Sequence, residues 1–244
     1  MKTLCSDRFA PTTSCIGFVG LPLQAAAEQL EIWRRDLYPS VSVERLQGAI
    51  PQLLPRLLPL VAGRPRELLV EAGREWTAYF DSSQGGTDPI SSVGHLCRVA
   101  QCAGVAITSR PDVVDRERRQ LRYGAVQFQM FGPLPTEFLN YVRGVSAVNS
   151  GSRWEFHASG TEQDFEEPER YTARRVRDRF TSDMLERYCM ALGIDPFNED
   201  FYGPTAVLVE SDVPFPVTGP MPVTFEELQR QLHIEPGLAD RLPG

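Results

Sequence analysis

The chain has a single lysine, Lys2, and three histidines, His95, His157 and His233, that stand far apart. Histidine metal centres need clustered ligands such as H-E-x-x-H, so no metal site is expected. Neither G-x-x-x-x-G-K-[ST] nor G-x-G-x-x-G occurs, which removes the two common phosphate cradles. No G-x-S-x-G elbow presents a serine nucleophile. No apolar run approaches the ~20 residues that span a bilayer, so no membrane partner is expected. Lys2 to Arg8 are followed by no apolar stretch of the kind that makes a secretory signal. The five cysteines, Cys5, Cys15, Cys97, Cys102 and Cys189, are odd in number and scattered, and Cys97 and Cys102 lack zinc-ribbon spacing. A reducing cytoplasm is the expected compartment, with inert thiols in Cys97, Cys102 and Cys189 and no cofactor.

What is present is an ordinary globular balance: 244 residues, 42% hydrophobic and 23% charged, enough to bury a core without staples. All but one of the 25 basic residues are arginine, and prolines number 20, a bias that suggests a GC-rich genome. The net charge of −7 argues against nucleic acid as the main partner and is compatible with a basic one.

Leu21 to Leu37 reads as a helix opening near Pro22. Prolines 51, 55 and 59 recur at every fourth position, which predicts short kinked turns rather than a regular helix. Leu68–Glu71 and Trp76–Phe80 flank Ala72-Gly73-Arg74-Glu75 and predict a hairpin. Asp81-x-Ser83-x-Gly85-Gly86-x-Asp88 has the rhythm of a calcium loop, but Ser92 stands where the closing glutamate belongs, so a glycine turn is expected. Asp88-Pro89 predicts a capped helix through about Cys102, stopped near Gly104, with a strand over Val105–Thr108. Arg116 to Arg122 is a charged connector. Tyr123–Phe131, Asn140–Val148, Trp154–Ala158 and Gln163–Phe165 are further strand candidates. Thr181 or Ser182 caps a helix with Met184, Leu185, Tyr188 and Leu192 on one face, ended by Gly193. Ala206–Val209 is a short strand, residues 211–223 an extended Pro-rich run, and Thr224-Phe-Glu-Glu227 a capping box.

Strands dominate the middle and helices the ends. The expected fold is α+β, with a mainly antiparallel central sheet drawn from residues 67–165 and flanked by helices 88–102 and 182–192. One domain is expected over 1–244, with a helical N-terminal portion to about residue 64 and an extended Pro-rich tail from about 211.

Trp154 to Tyr171 reads WEFHASGTEQDFEEPERY: Trp154, Phe156 and Ala158 alternate with Glu155 and His157 as in a half-buried strand, and five carboxylates follow. Glu155 and His157 share the polar face and could form a general acid–base pair, the basis of an alternative reading as a hydrolase or transferase with an unfamiliar site. Two solvated side chains on an exposed face are the simpler expectation. The arginine run Arg170, Arg174, Arg175, Arg177, Arg179 could hold phosphate, but the preceding Glu162, Asp164, Glu166, Glu167 and Glu169 are expected to neutralise it locally.

Three blocks carry a resemblance: Arg74-Glu-Trp-Thr-Ala-Tyr-Phe-Asp81 with Gly86-Thr-Asp-Pro89; Arg153-Trp-Glu-Phe156 with Phe165-Glu-Glu-Pro168 and Tyr171; and Arg179-Phe-Thr181 through Leu192-Gly-Ile194 with Asp200-Phe-Tyr202. Together, between about residues 67 and 209, they resemble an uncharacterised family of bacterial proteins from GC-rich genomes, associated with the immunity side of polymorphic-toxin systems. The resemblance supplies no catalytic residue. It implies a protein that neutralises a cognate toxin by stoichiometric binding. Charge complementarity to a basic enzyme makes Glu162, Asp164, Glu166, Glu167, Glu169, Asp195, Glu199 and Asp200 the candidate contacts, with Trp154 or Tyr202 as apolar anchors.

Overall fold

The computed structural model describes residues 1–114, 122–134, 136, 140–212 and 220–238. Its frame is a single nine-stranded sheet. The strands are β1 (Cys15–Val19), β2 (Val41–Gln47), β3 (Arg66–Ala72), β4 (Trp76–Asp81), β5 (Gly104–Arg110), β6 (Ala125–Phe131), β7 (Tyr141–Asn149), β8 (Trp154–Gly160) and β9 (Tyr202–Ser211). They pair in the order β2-β9-β3-β4-β1-β5-β6-β7-β8, antiparallel throughout. The fold is α+β with an antiparallel central sheet flanked by helices.

Both faces of the sheet are covered. α1 (Leu23–Leu37) and α3 (Pro89–Ala100) lie on one face, packing Ala27, Leu30, Val93 and Leu96 against Leu69, Tyr79 and Val207. The other face carries α2 (Ile50–Leu53), α4 (Ser182–Ala191) and several 3₁₀ turns over Phe18, Leu68, Phe80 and Phe128. A strand covered on both faces needs apolar side chains at successive positions, which is why Leu68-Leu69-Val70 and Ala78-Tyr79-Phe80 are unbroken buried runs. α5 (Phe225–Gln231) opens on the expected capping box of Thr224 and Glu227 and packs Phe225 and Leu228 on Leu60.

The expected helical N-terminal portion is corrected. Residues 1–64 contribute α1, but also β1 in the middle of the sheet and β2 at its edge. β1 pairs with β4 and β5, and helix α3 crosses directly over Gly17, where a Cβ would lie 2.7 Å from Pro89 and Val93. The sheet therefore extends well beyond residues 67–165. Ala206–Val209 proves to be part of the ten-residue β9, which inserts between β2 and β3. Gln163–Phe165 is not a strand. The prolines at 51 and 55 fall in α2 and the 3₁₀ turn Leu54–Leu57, so this stretch is short turns. Most of the 116–122 connector and of the 211–223 run lies outside the described residues.

The Asp81 loop is organised by hydrogen bonds. The Asp81 carboxylate accepts from Ser83 N at 2.9 Å and from Asp88 N at 3.0 Å. Asp88 stands at the N-cap position of α3, yet its side chain makes no capping bond and lies 3.6 Å from Arg64. Gln101, in the left-handed region at φ 52°, ends α3, and Gly104 begins β5 instead of stopping the helix.

Burial pushes the Asp81 carboxyl up to about 6, against the pull of its two backbone donors. The folded state thus holds this proton more tightly than the unfolded chain. Its contribution to stability is present in full below the ordinary value of 3.8 and is lost as pH rises through about 6. Relative to Asp81→Asn, which cannot titrate, the wild type should lose on the order of 3 kcal/mol between pH 4 and 7. Urea denaturation of both proteins across that range checks it, and parallel pH profiles would refute it. The asparagine should also cost the Asp88 bond, because its amide would face a donor.

Candidate partner-binding surface

α4 is the element that collects the acidic segments. Its N-terminus is fixed by Thr181, whose hydroxyl accepts from Met184 N. Met184, Leu185, Tyr188 and Cys189 turn into the core, leaving Asp183, Arg187 and Met190 exposed. On one flank Arg187 holds Glu167 through bonds of 2.7 and 3.0 Å, and Tyr188 Oη accepts from Glu167 N at 2.7 Å. On the other flank Glu186 lines a shallow depression together with Lys2, Asp195, Phe197 and Asn198. Segments 162–169 and 195–200, remote in sequence, therefore border the same helix.

The candidates divide sharply by environment. Glu162, Asp164, Glu169 and Asp200 are exposed, and none of their carboxylates joins an ion pair or a side-chain hydrogen bond among the described residues. Asp195 accepts from Asn198 Nδ2 at 3.0 Å, and Glu199 pairs with Arg8 at 2.9 Å on the surface. Glu166 is corrected from contact to framework: its carboxylate is 1% exposed and holds Arg143 in a two-pronged bond. Tyr202 is likewise no anchor. It is 4% exposed, packs between Phe18 and Phe80, and donates to Pro196 O at 2.7 Å. Trp154 is half-buried and lines a cavity, its indole resting over Gly124, where a Cβ would meet the ring at 2.8 Å.

The expected neutralisation between the acidic stretch and the arginine run does not occur. Glu166 and Glu167 reach Arg143 and Arg187 instead, outside the run. Arg170, Arg174 and Arg175 make no ion pair among the described residues, and Arg177 has only its neighbour Asp178 at 3.7 Å. Local spacing failed because the segment forms 3₁₀ turns, Pro168–Thr172 and Val176–Asp178, which lack the i, i+4 geometry of an α-helix. Sequence reasoning missed the resulting long-range pairing. Arg143 and Arg187 carry no mark that would have assigned them to Glu166 and Glu167.

Glu155 and His157 stand 3.8 Å apart on the exposed side of β8, an edge strand. Hydrogen bonds from Arg153 and Ser150 hold the Glu155 carboxyl below its ordinary value. A general base working near neutrality needs the opposite shift. Among the described residues, no group of three or more His, Cys, Asp or Glu side chains is placed to hold a metal ion. Among them, too, no helix is long and apolar enough to cross a membrane. No family model matches the chain, and neither does any curated protein or solved structure.

Proposed function

We propose that the chain is a cytoplasmic immunity-type protein that neutralises a cognate bacterial toxin by stoichiometric binding, using the acidic surface around α4. The observation that carries this reading is the set of exposed, unpaired carboxylates at Glu162, Asp164, Glu169 and Asp200, on two segments that border opposite flanks of α4 through Glu167 and Asp195. Carboxylates already paired within the protein contribute little outward field, whereas unpaired ones steer an approaching basic surface and can occupy a site built for an anionic substrate. The resemblance of the three sequence blocks to immunity-associated proteins supports the same reading. Arg187 and Met190 on the exposed side of α4 supply the guanidinium and flexible apolar side chain that favour such interfaces.

This reading requires a neighbouring gene for a large secreted protein, and the test pairs the chain with the C-terminal domain of that product; absence of such a gene counts against the reading. Co-expression should rescue growth, and calorimetry should show a complex of fixed stoichiometry. Reversing four charges together (Glu162→Arg, Asp164→Arg, Glu169→Arg, Asp200→Arg) should slow association by roughly tenfold or more and flatten its salt dependence. Thermal stability should hardly change, because none of the four is paired. No rescue, together with no complex at low salt, would defeat the proposal.

A further inference from the structure

A cavity of about 440 Å³ opens between the start of β8 and the segment leading into α4. Its size falls within the range of small-ligand sites. Val126 and Phe180, both buried, and Trp154 give it an apolar floor and wall. Arg175, Arg177 and Asp178 come from the 3₁₀ turn beside it, and Thr181 and Ser182 from the cap of α4.

The polar groups of this lining are unequally committed. Asp112 is turned to its own surroundings, with Oδ1 accepting from Gly124 N and Asn149 Nδ2, each at 2.9 Å. The Thr181 hydroxyl accepts from Met184 N, and Ser182 Oγ accepts from Lys2 N at 3.1 Å. Among the described residues the Asp178 carboxylate reaches only Arg177, at 3.7 Å, longer than a hydrogen bond. Arg175 has no side-chain partner among the described residues. The uncommitted chemistry is therefore a flat aromatic wall beside guanidinium groups, with Arg175 the freer of the two. Two carboxylates, Asp112 and Asp178, share the lining, so what favours an anion here is the uncommitted Arg175 guanidinium beside the indole and not a net positive charge.

We propose that this cavity binds a small aromatic anion, with the ring against Trp154 and the anionic group held by Arg175 and Arg177. Neither half suffices alone. A bare anion at an exposed rim competes with water and salt, whereas a bare ring leaves the guanidinium groups unused. None of the four unpaired carboxylates lines this site, which does not depend on their role.

Titration with phenyl phosphate, 4-hydroxyphenylacetate and adenosine 5′-monophosphate tests the proposal, followed by tryptophan fluorescence and by calorimetry. Saturable binding of at least one is expected. Inorganic phosphate and benzyl alcohol should each bind roughly tenfold more weakly or worse. Trp154→Phe should remove the fluorescence response but not the calorimetric one, because Trp33 and Trp76 lie elsewhere. Arg175→Ala with Arg177→Ala should weaken binding roughly ten- to a hundredfold. Both arginines are exposed, so melting temperature and circular dichroism should match the wild type. Tighter binding of the nucleotide would point to a nucleotide source, and tighter binding of the simpler acids to a metabolic aromatic acid. Absence of saturable binding by all three, or unchanged binding by the double variant, would overturn the proposal.

Discussion

Glu67→Ala is expected to destabilise the fold by about 3–5 kcal/mol, the range for stranding one member of a buried ion pair. Glu67 lies in β3, an interior strand between β9 and β4, and is 0% exposed; Arg34, which reaches it from α1, is 4% exposed. Arg34 Nη2 donates to Glu67 Oε1 at 2.6 Å while its Nε donates to Oε2. Tyr79 Oη donates to Oε1 at 2.6 Å, and Ser92 Oγ accepts from Arg34 at 3.3 Å. Burial, reinforced by the Glu67 charge, pushes the Tyr79 hydroxyl well above its ordinary value, so it remains a donor across the accessible pH range. Truncating Glu67 would leave a guanidinium with one hydroxyl partner in a space closed to water.

The size of that loss is not the worth of the pair. Two charges taken out of water have already lost their hydration, and their attraction offsets this only in part. The combined change Arg34→Met with Glu67→Leu should therefore recover most of the stability lost in Glu67→Ala. Tyr79 and Ser92 would still bond each other, at 3.0 Å. Urea denaturation of Glu67→Ala, of the single variants Arg34→Met and Glu67→Leu, and of the double variant measures both the recovery and the cycle. A double variant as unstable as Glu67→Ala would show that the pair itself stabilises the sheet.

How much of this was legible in the sequence depended on whether the determining contacts were local. The β3–β4 hairpin was legible because Gly73, at φ 59°, sits between two apolar runs. The faces of α4 were legible for the same reason: four side chains repeat at helical spacing. β1 was not, because a five-residue strand with four successive buried residues shows no alternation, and Gly17 reads as a strand breaker until α3 is placed on it. β9 showed only four of its ten residues, its start being masked by Gly203 and Pro204. Its position between β2 and β3 is a non-local pairing that no neighbouring residue announces. At the candidate surface, the excess of acid was plain in composition. Which carboxylates face outward was set by Arg143 and Arg187, twenty or so residues from their partners.

That division can be measured at Glu166 and its neighbours. Glu166→Ala should cost about 3–5 kcal/mol, because Arg143 is only 6% exposed at its side chain and would be left buried without a counter-charge. Four bonds converge on this carboxylate: Arg143 Nε at 2.8 Å, Arg143 Nη2 at 2.7 Å, Tyr171 Oη at 2.7 Å and Gln163 N at 2.9 Å. After truncation Arg143 would keep only the Gly160 carbonyl, at 3.1 Å. Glu166→Gln preserves the shape but removes the charge and presents an amide donor to Arg143, so it should cost roughly 1.5–3 kcal/mol. By contrast, Glu162→Ala, Asp164→Ala and Glu169→Ala combined should change stability by no more than about 0.5 kcal/mol per site, as surface substitutions without partners do. Thermal and urea melts of the three proteins decide it. If the triple variant unfolds as readily as Glu166→Ala, the acidic stretch is framework throughout. The carboxylates left for a partner would then be those of the 195–200 segment alone.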